Sequence, residues 1–148
     1  MPLSHNIIIQ DTIHKRKLLS KKKCTLWLSH IVKAETILTI RIVDEDESQL
    51  LNNQYREKNE PTNVLSFLIN DKPLLGDIIL CHSVIKKEAL AQKKSIYDHY
   101  AHLIIHGYLH LIGFNHTKND DAITMENKEI AVLKKLGIKN PYLSNIME

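Results

Sequence analysis

The sequence predicts a single α/β domain over residues 1–148, in which a mixed sheet of about four strands packs with about five helices. Two observations support this prediction. Short segments rich in β-branched residues alternate with helix-length segments, and two strand–helix–strand units of this kind favour parallel pairing. The short turn at residues 70–73, by contrast, joins two strands as a hairpin and requires one antiparallel pair.

The first half of the chain supplies three strands and two helices. Residues 6–10 form a short apolar strand, and residues 17–33 show a broadly helical apolar pattern. Residues 36–43, TILTIRIV, alternate and are rich in β-branched side chains, as expected for a strand. The acidic residues 44–46 are suited to cap a helix that reaches about residue 58, and a strand follows at residues 64–69.

The second half adds one strand and three helices. Residues 75–81 form a strand after the turn, and helices are predicted at residues 83–92, 95–112 and 120–136. The 95–112 helix is apolar almost all round, which predicts that it is buried in the centre of the domain. A functional site on this helix would therefore lie in a shaped, largely dry cavity.

The composition favours a small enzyme of the cytoplasm. The chain is 43% hydrophobic and 25% charged, has no apolar run long enough to span a bilayer, and lacks a signal peptide in its first ten residues. Cys24 and Cys81 form no C-x-x-C pair and are expected to be buried thiols in a reducing compartment.

A net charge of +3 permits a nucleic-acid partner without requiring one. Basic residues crowd the first predicted helix at 15–17 and 21–23, where they form either a phosphate-contacting surface or a solvated face. No aromatic residue interleaves with this basic cluster, so it offers no platform for stacking bases.

The segment at residues 106–116, HGYLHLIGFNH, is the strongest functional signal. His106 and His110 are four residues apart, so a helix places both imidazoles on one face. Gly113 is suited to end that helix, and the turn can return His116 to the same point. Three imidazoles with no fourth protein ligand are typical of a catalytic zinc site with an open position. The sequence therefore predicts one Zn²⁺ per chain, held on a buried central helix.

The same helix carries further histidines, and His102 also forms an i, i+4 pair with His106. His102 and His110 are about 12 Å apart along a helix, so both cannot easily bind one ion together with His106. Only His110 lies next to the turn, which makes His102 a supporting or core residue and His99 a surface residue. The spacing is that of metzincin proteases, but Gly107 stands where those enzymes carry a glutamate base, which argues against peptide hydrolysis.

Residues 51–67 complete a resemblance to the YbeY family of metal-dependent endoribonucleases. It rests on L-N-x-x-Y-R-x-K-x-x-P-T-N-V-L-S-F, on L-G-D-I at residues 75–78, on the histidine segment and on N-P-Y at residues 140–142. The resemblance implies zinc ligands at His106, His110 and His116, and it places the arginine used for RNA cleavage at Arg56. The family usually has aspartate where this chain has Asn115, so a carboxylate base is not expected at that position.

Arg56 also suits phosphate binding on chemical grounds. A planar guanidinium matches phosphate oxygens and stabilises the negative charge that develops during phosphodiester cleavage. An ion pair with a neighbouring carboxylate is the structural alternative. Lys58 and Asn63 are weaker candidates for the same cleft, whereas Ser66 and Asp77 are expected to stabilise strand ends and turns.

The resemblance implies a single-strand-specific, zinc-dependent endoribonuclease that acts in late 3′-end maturation of 16S ribosomal RNA and in ribosome quality control. The expected partners are single-stranded RNA, ribosomal RNA and the small ribosomal subunit in the cytoplasm, with no membrane or DNA partner. Two alternatives stay open. One is a ribosome-assembly binding factor with a mainly structural metal, and the other is a metalloprotease-like hydrolase with a carboxylate from Asp120, Asp121 or Glu126.

Overall fold

The computed structural model describes residues 5–32, 35–115 and 118–143, which contain one four-stranded sheet and five helices. The elements in chain order are β1 (His5–Asp11), α1 (Lys21–Leu28), β2 (Thr36–Val43), α2 (Glu45–Arg56), β3 (Val64–Asn70), β4 (Leu74–Cys81), α3 (His82–Ala91), α4 (Ile96–Leu111) and α5 (Asn119–Lys135). The predicted α/β class with a mixed sheet is confirmed, and every element except α1 begins and ends within two residues of its prediction.

The strand order in the sheet is β1-β2-β4-β3. β1 pairs in parallel with β2, β2 pairs in parallel with β4, and β3 and β4 form the predicted antiparallel hairpin. The expectation of parallel pairing across α2 is wrong for β3, because the hairpin inserts β4 between β2 and β3. Strand β3 therefore forms one edge of the sheet, and β1 forms the other.

Helix α4 is the central helix, as its apolar sequence predicts. It contacts β3, β4, α1, α3 and α5, and eleven of its sixteen residues are buried. Tyr100, Ile104, Ile105 and Leu109 have no exposed surface. Burying several such side chains at about 1.5–3 kcal/mol each fixes the position of α4 on the sheet. Side chains on α4 consequently have well-defined positions.

The two faces of the sheet bury unequal cores. Alternate residues of β4 point to opposite faces, so Ile78 and Leu80 join the main core with α4 while Ile79 does not. The second core, called the small cluster below, consists of Val43, Leu65 and Ile79, with Leu51 and Phe67 packed against it. Helix α2 thus covers the face of the sheet opposite α4.

Helix α1 is shorter than the predicted 17–33 helix at both ends, and it begins only at Lys21 because the preceding chain folds around Asp11. The Asp11 carboxylate accepts hydrogen bonds from the backbone N–H groups of Ile13, His14 and Leu18 at 2.9, 3.0 and 3.1 Å. Ser20 then caps the helix by accepting the N–H of residue 23. A local carboxylate therefore outcompetes helix formation over residues 12–19.

This loop divides the basic cluster. Residues 15–17 lie in the loop before α1 and only residues 21–23 lie on the helix, which corrects the prediction that one helix carries both groups. Helix α1 contacts β1 and α4, at the opposite end of the strand order from β3.

Cys24 and Cys81 are buried free thiols, as expected. Among the helices of the described residues, none is both long enough and apolar enough to cross a bilayer.

Candidate functional site

The imidazoles of His106 and His110 meet on one face of α4. Their Nε2 atoms are 3.1 Å apart, and the ring centroids are 4.6 Å apart with the planes nearly perpendicular. The ring centroids of His102 and His106, the alternative i, i+4 pair, are 6.3 Å apart, so His106 and His110 form the closer pair. The side chain of His106 is 21% exposed, so the pair lies at the surface of the core and is accessible from outside.

The turn after α4 orients His110. Gly113 has a φ of 106°, a left-handed conformation that glycine adopts at little cost, and its N–H bonds to the carbonyl of His110. The N–H of Phe114 bonds back to the carbonyl of Leu109 at 3.0 Å. This closed turn brings the Phe114 carbonyl to 3.1 Å from Nδ1 of His110. Because a carbonyl can only accept, Nδ1 of His110 carries the proton.

Glu129 of α5 orients His106 in a similar way. This carboxylate is completely buried, and its Oε1 lies 3.0 Å from Nδ1 of His106 and 2.9 Å from Nε2 of His102. The hydroxyl of Tyr142 donates to Oε2 at 3.0 Å. Burial alone would raise the pKa of Glu129, but the hydrogen bonds from His102 and His106 outweigh it and lower the pKa to about 2. Glu129 is therefore an ionised acceptor, and Nδ1 of His106 is a donor.

These two hydrogen bonds determine which nitrogen of each imidazole carries the proton and which carries the lone pair. When Nδ1 of a neutral imidazole carries the proton, its Nε2 carries a lone pair. His106 and His110 therefore direct two lone pairs toward each other at 3.1 Å, an arrangement that an intervening cation stabilises. Two nitrogen ligands 2.0–2.1 Å from one tetrahedral zinc ion are about 3.3 Å apart. The donor set and the spacing of this pair fit Zn²⁺, and a carboxylate or carbonyl on the second ring nitrogen is the usual support for such ligands.

The third predicted ligand, His116, lies outside the described residues. Within residues 5–32, 35–115 and 118–143, no group of three or more His, Cys, Asp or Glu side chains could hold a metal. The described residues thus include two of the three predicted ligands, His106 and His110, which lie side by side.

A cleft of about 750 Å³ contains the histidine pair. It is lined by the end of α2, by residues 62–68 and by the last turns of α4, and it is called the histidine cleft below. Arg56, Asn63 and Asn115 line it together with the two histidines. The structure therefore brings the predicted arginine and two of the three predicted ligands, His106 and His110, into one cavity.

Arg56 is the last residue of α2 and is exposed. Glu57 follows it in a left-handed conformation, with a φ of 58°, and ends the helix. In the described part of the chain, Arg56 forms no ion pair with Glu60 or another carboxylate, which removes the structural alternative for this side chain. The guanidinium is accordingly accessible for an anion in the cleft.

Two weaker candidates for the cleft have different outcomes. Asn63 lines the cleft, and its amide nitrogen donates to the Glu88 carboxylate at 3.0 and 3.3 Å. Lys58 is not among the lining residues.

Glu88 also bonds Nε2 of His99 at 2.8 Å, and His99 is only 3% exposed. The prediction that His99 is a surface residue is wrong, because a carboxylate on α3 bonds its Nε2 inside the core.

Gly107 has a packing role that the sequence does not reveal. A Cβ atom at this position would lie 2.8 Å from Oγ of Ser66 and 3.2 Å from Cγ2 of Ile78. Helix α4 therefore approaches the sheet closely at this glycine, and a glutamate base would not fit here.

Ser66 and Asp77 lie in the middle of β3 and β4 and not at strand ends, which corrects their predicted roles.

The carboxylate beside the histidines is not one of the predicted candidates. Among the described residues, the carboxylate that bonds His106 is Glu129 and not Asp120, Asp121 or Glu126, and Asp121 lines a separate cavity. Sequence reasoning missed Glu129, although a signal exists. The buried positions of α5 are Met125, Glu129, Val132 and Leu133, so this glutamate occupies an apolar position of the helix, where a charge requires a partner.

Comparison with known proteins identifies related chains. The family model described as Endoribonuclease YbeY matches residues 8–137. A protein of Colwellia psychrerythraea named Endoribonuclease YbeY is 45% identical over 95% of this chain and 99% of its own length. A Pseudoalteromonas translucida protein of the same name is 46% identical over 86% of this chain and 89% of its own.

A solved structure shares the fold. The solution structure of a Thermotoga maritima protein covers 88% of this chain and 91% of its own, with a TM-score of 0.57 and 24% identity. This likeness concerns the fold alone, whereas the family model and the curated relatives span the histidine cleft and most of the chain. The chain therefore belongs to the YbeY family of endoribonucleases.

Proposed function

We propose that this protein is a zinc-dependent endoribonuclease that cleaves single-stranded RNA in the histidine cleft. The observation that carries the proposal is that Arg56 and the paired imidazoles of His106 and His110 line the same cavity. A phosphate in the cleft would meet a guanidinium on one side and the metal position on the other. His116 is the proposed third ligand of Zn²⁺.

Each residue has a defined task in this proposal. The Glu129 carboxylate and the Phe114 carbonyl hold the two imidazoles in the tautomer that a metal ligand needs. Arg56 binds the scissile phosphate and stabilises the charge that develops on its oxygens. Lewis-acid activation of a phosphoryl oxygen or of water is the chemistry that Zn²⁺ supplies in such a site.

The close packing at Gly107 argues against the metalloprotease-like alternative. Peptidases with this histidine spacing use a glutamate at that position, and here even a Cβ atom would lie 2.8 Å from Ser66 Oγ. Glu129 does not replace that base, because it is completely buried and both of its oxygens accept hydrogen bonds.

The proposed substrate is ribosomal RNA of the small subunit, cleaved during late maturation of the 16S 3′ end in the cytoplasm. Membership of the YbeY family supports this substrate, and the net charge of +3 is compatible with a polyanionic partner. A ribosome-assembly factor with a structural metal is the competing interpretation. A site with an open ligand position favours catalysis over a structural role.

Assays of the purified protein on single-stranded RNA, duplex RNA and a peptide, with and without a chelator, test the proposal. We expect cleavage of single-stranded RNA only, and loss of that cleavage in chelator. Zinc content provides the second readout, with His116→Ala compared with His30→Ala, since His30 is exposed and on a different part of the chain. Full zinc occupancy in the His116→Ala protein would contradict the ligand assignment, and cleavage that survives chelation would contradict the metal dependence.

A further inference from the structure

An exposed aromatic side chain stands beside the proposed phosphate-binding arginine. Tyr55 precedes Arg56 in the last turn of α2, is 59% exposed and lines the histidine cleft. Most of its ring therefore remains in contact with solvent, although burying such a ring is strongly favourable. A large apolar face at the mouth of a cleft is typical of a binding surface.

A second aromatic residue holds Tyr55 in place. The ring of Phe67 on β3 contacts Tyr55 in an edge-to-face arrangement, with centroids 5.0 Å apart and an interplanar angle of 61°. Phe67 in turn packs against the small cluster on the α2 face of the sheet. Tyr55 is thus supported from below by a fixed core, and binding a ligand on its open side costs little conformational entropy.

The chemistry of this platform matches a nucleobase. Every base has a π-face, and a protein aromatic ring that stacks on one contributes about 1–3 kcal/mol, largely independent of sequence. Bases in a duplex already stack on their neighbours and are not available to a ring at the protein surface. An aromatic ring beside a phosphate site therefore selects unpaired nucleic acid.

We propose that Tyr55, supported by Phe67, is the specificity-determining residue that stacks on an unpaired base adjacent to the phosphate bound by Arg56. This inference rests on the proposed function, because it assumes that single-stranded RNA enters the histidine cleft. It explains how a site with few aromatic residues distinguishes single strands from duplexes. This aromatic platform lies next to Arg56 and not in the basic cluster.

Steady-state cleavage by the zinc-loaded protein gives the first test. We expect Tyr55→Leu to raise KM for single-stranded RNA about 5- to 100-fold, because leucine keeps apolar bulk but has no π-face. Tyr55→Phe should restore the KM, since the ring face is retained. Tyr97→Leu is the matched control, because Tyr97 is 39% exposed and does not line the cleft. An unchanged KM in Tyr55→Leu would overturn the inference.

Fluorescence provides a readout that a merely structural role would not move. Each RNA of a series carries one 2-aminopurine, placed at successive positions beside the cleavage site. Stopped-flow mixing records the emission of the probe before cleavage. We expect rapid quenching at one position with the wild type and with Tyr55→Phe, and none with Tyr55→Leu. Equal quenching in Tyr55→Leu at every position would show that another group stacks on the base.

An RNA with one abasic site tests the same contact without changing the protein. At the position of quenching, the abasic site should raise the wild-type KM by about the factor seen for Tyr55→Leu. The KM of Tyr55→Leu on the abasic RNA should be no higher than the KM produced by either change alone. Full additivity would overturn the inference. If the wild type neither binds nor cleaves single-stranded RNA, the proposed function and the Tyr55 inference both fail. If it cleaves RNA with no dependence on the Tyr55 ring, only the inference fails.

Discussion

Nδ1 of His106 lies 3.0 Å from Oε1 of Glu129, a completely buried carboxylate on the last helix. The same oxygen accepts a hydrogen bond from His102, and Tyr142 donates to the other oxygen. Helix α5 and the segment after it are therefore tied to the proposed metal ligand through one side chain. The orientation of His106 depends on packing between α4 and α5 and not on α4 alone.

Replacing this carboxylate should weaken metal binding. In Glu129→Gln the charge that supports Nδ1 of His106 is lost, and an amide can present N–H where the imidazole also presents N–H. We expect zinc affinity to fall about 10- to 100-fold, as is typical when the partner of a histidine ligand is removed. Competition with a calibrated chelator measures this affinity.

The control is Glu126→Gln, which makes the same chemical change on the same helix at a half-buried position. We expect its zinc affinity to match the wild type. Equal losses in both proteins would indicate that α5 acts only through its overall charge, and a larger loss in Glu126→Gln would revive the hydrolase interpretation based on that residue.

A single added methyl group at Gly107 should destabilise the protein. In Gly107→Ala the new Cβ would lie 2.8 Å from Oγ of Ser66 and within 3.3 Å of two atoms of Ile78. Overpacking of this kind costs about 1–3 kcal/mol, which exceeds the roughly 1 kcal/mol that alanine gains over glycine in a helix. Denaturant unfolding should therefore show a net loss of stability.

Removing the closest contact provides the matched test of that mechanism. Ser66 Oγ is buried and has no hydrogen-bond partner among the described residues, so Ser66→Ala alone should be nearly neutral. The cost of Gly107→Ala should shrink in the Ser66→Ala background, because one of the clashing atoms is gone. An undiminished cost would assign the effect to Ile78 or to the helix itself.

Asp11 should make stability depend on acid pH. Its side chain has no exposed surface, and burial raises its pKa, but hydrogen bonds from the backbone N–H groups of His14, Ile13 and Leu18 outweigh this effect and lower the pKa below its usual value of 3.8. The folded state therefore binds this proton less tightly than the unfolded chain does. The resulting stability is present above about pH 4 and is lost as the pH falls through the lowered pKa.

Asp11→Asn keeps the shape of the side chain but removes its charge. We expect a loss of about 1.5–3 kcal/mol near neutral pH, typical of a hydrogen bond to a charged group, and a shallower fall of unfolding free energy in acid. Asp71→Asn, in the exposed hairpin turn, should change neither quantity appreciably. An acid limb as steep in Asp11→Asn as in the wild type would assign the titration to other carboxylates.

Local sequence signals predict much of this architecture because they act over short distances. The alternation of TILTIRIV predicts strand β2. A helix that is apolar almost all round, as at residues 96–111, must be buried whichever elements it packs against. The i, i+4 spacing of His106 and His110 specifies their common face before any tertiary contact forms. The positive φ of Gly113 likewise follows from its place at the end of α4.

Features that depend on distant residues could not be predicted in this way. The local sequence pattern is the same whether β3 or β4 lies next to β2. The position of β4 between β2 and β3 therefore could not be predicted from it. Glu129 meets His106 across 23 positions of sequence. The Asp11 loop is a local feature, but helix periodicity does not reveal it, because the pattern does not show that a carboxylate competes for the backbone N–H groups. The role of Gly107 appears only when the distance to Ser66 is known.

Arg56→Ala should fold and retain zinc but lose RNA cleavage. Arg56 is exposed and lines the histidine cleft, so its removal leaves no cavity in the core and no unpaired buried charge. Loss of one donor that stabilises a transition state costs about 10²–10³ in rate. Single-turnover cleavage of single-stranded RNA, measured together with zinc content and thermal unfolding, checks all three statements.

Two further variants separate the phosphate clamp from simple charge. Arg56→Lys should recover only part of the lost rate, because an ammonium is a point charge and lacks the planar fork that bonds two phosphate oxygens. Arg16→Ala removes the same charge from the exposed loop before α1, away from the cleft. It should leave the rate at which bound RNA is cleaved unchanged. Equal rates for Arg56→Lys and the wild type would reduce Arg56 to a source of positive charge. Wild-type cleavage by Arg56→Ala would show that another group holds the phosphate.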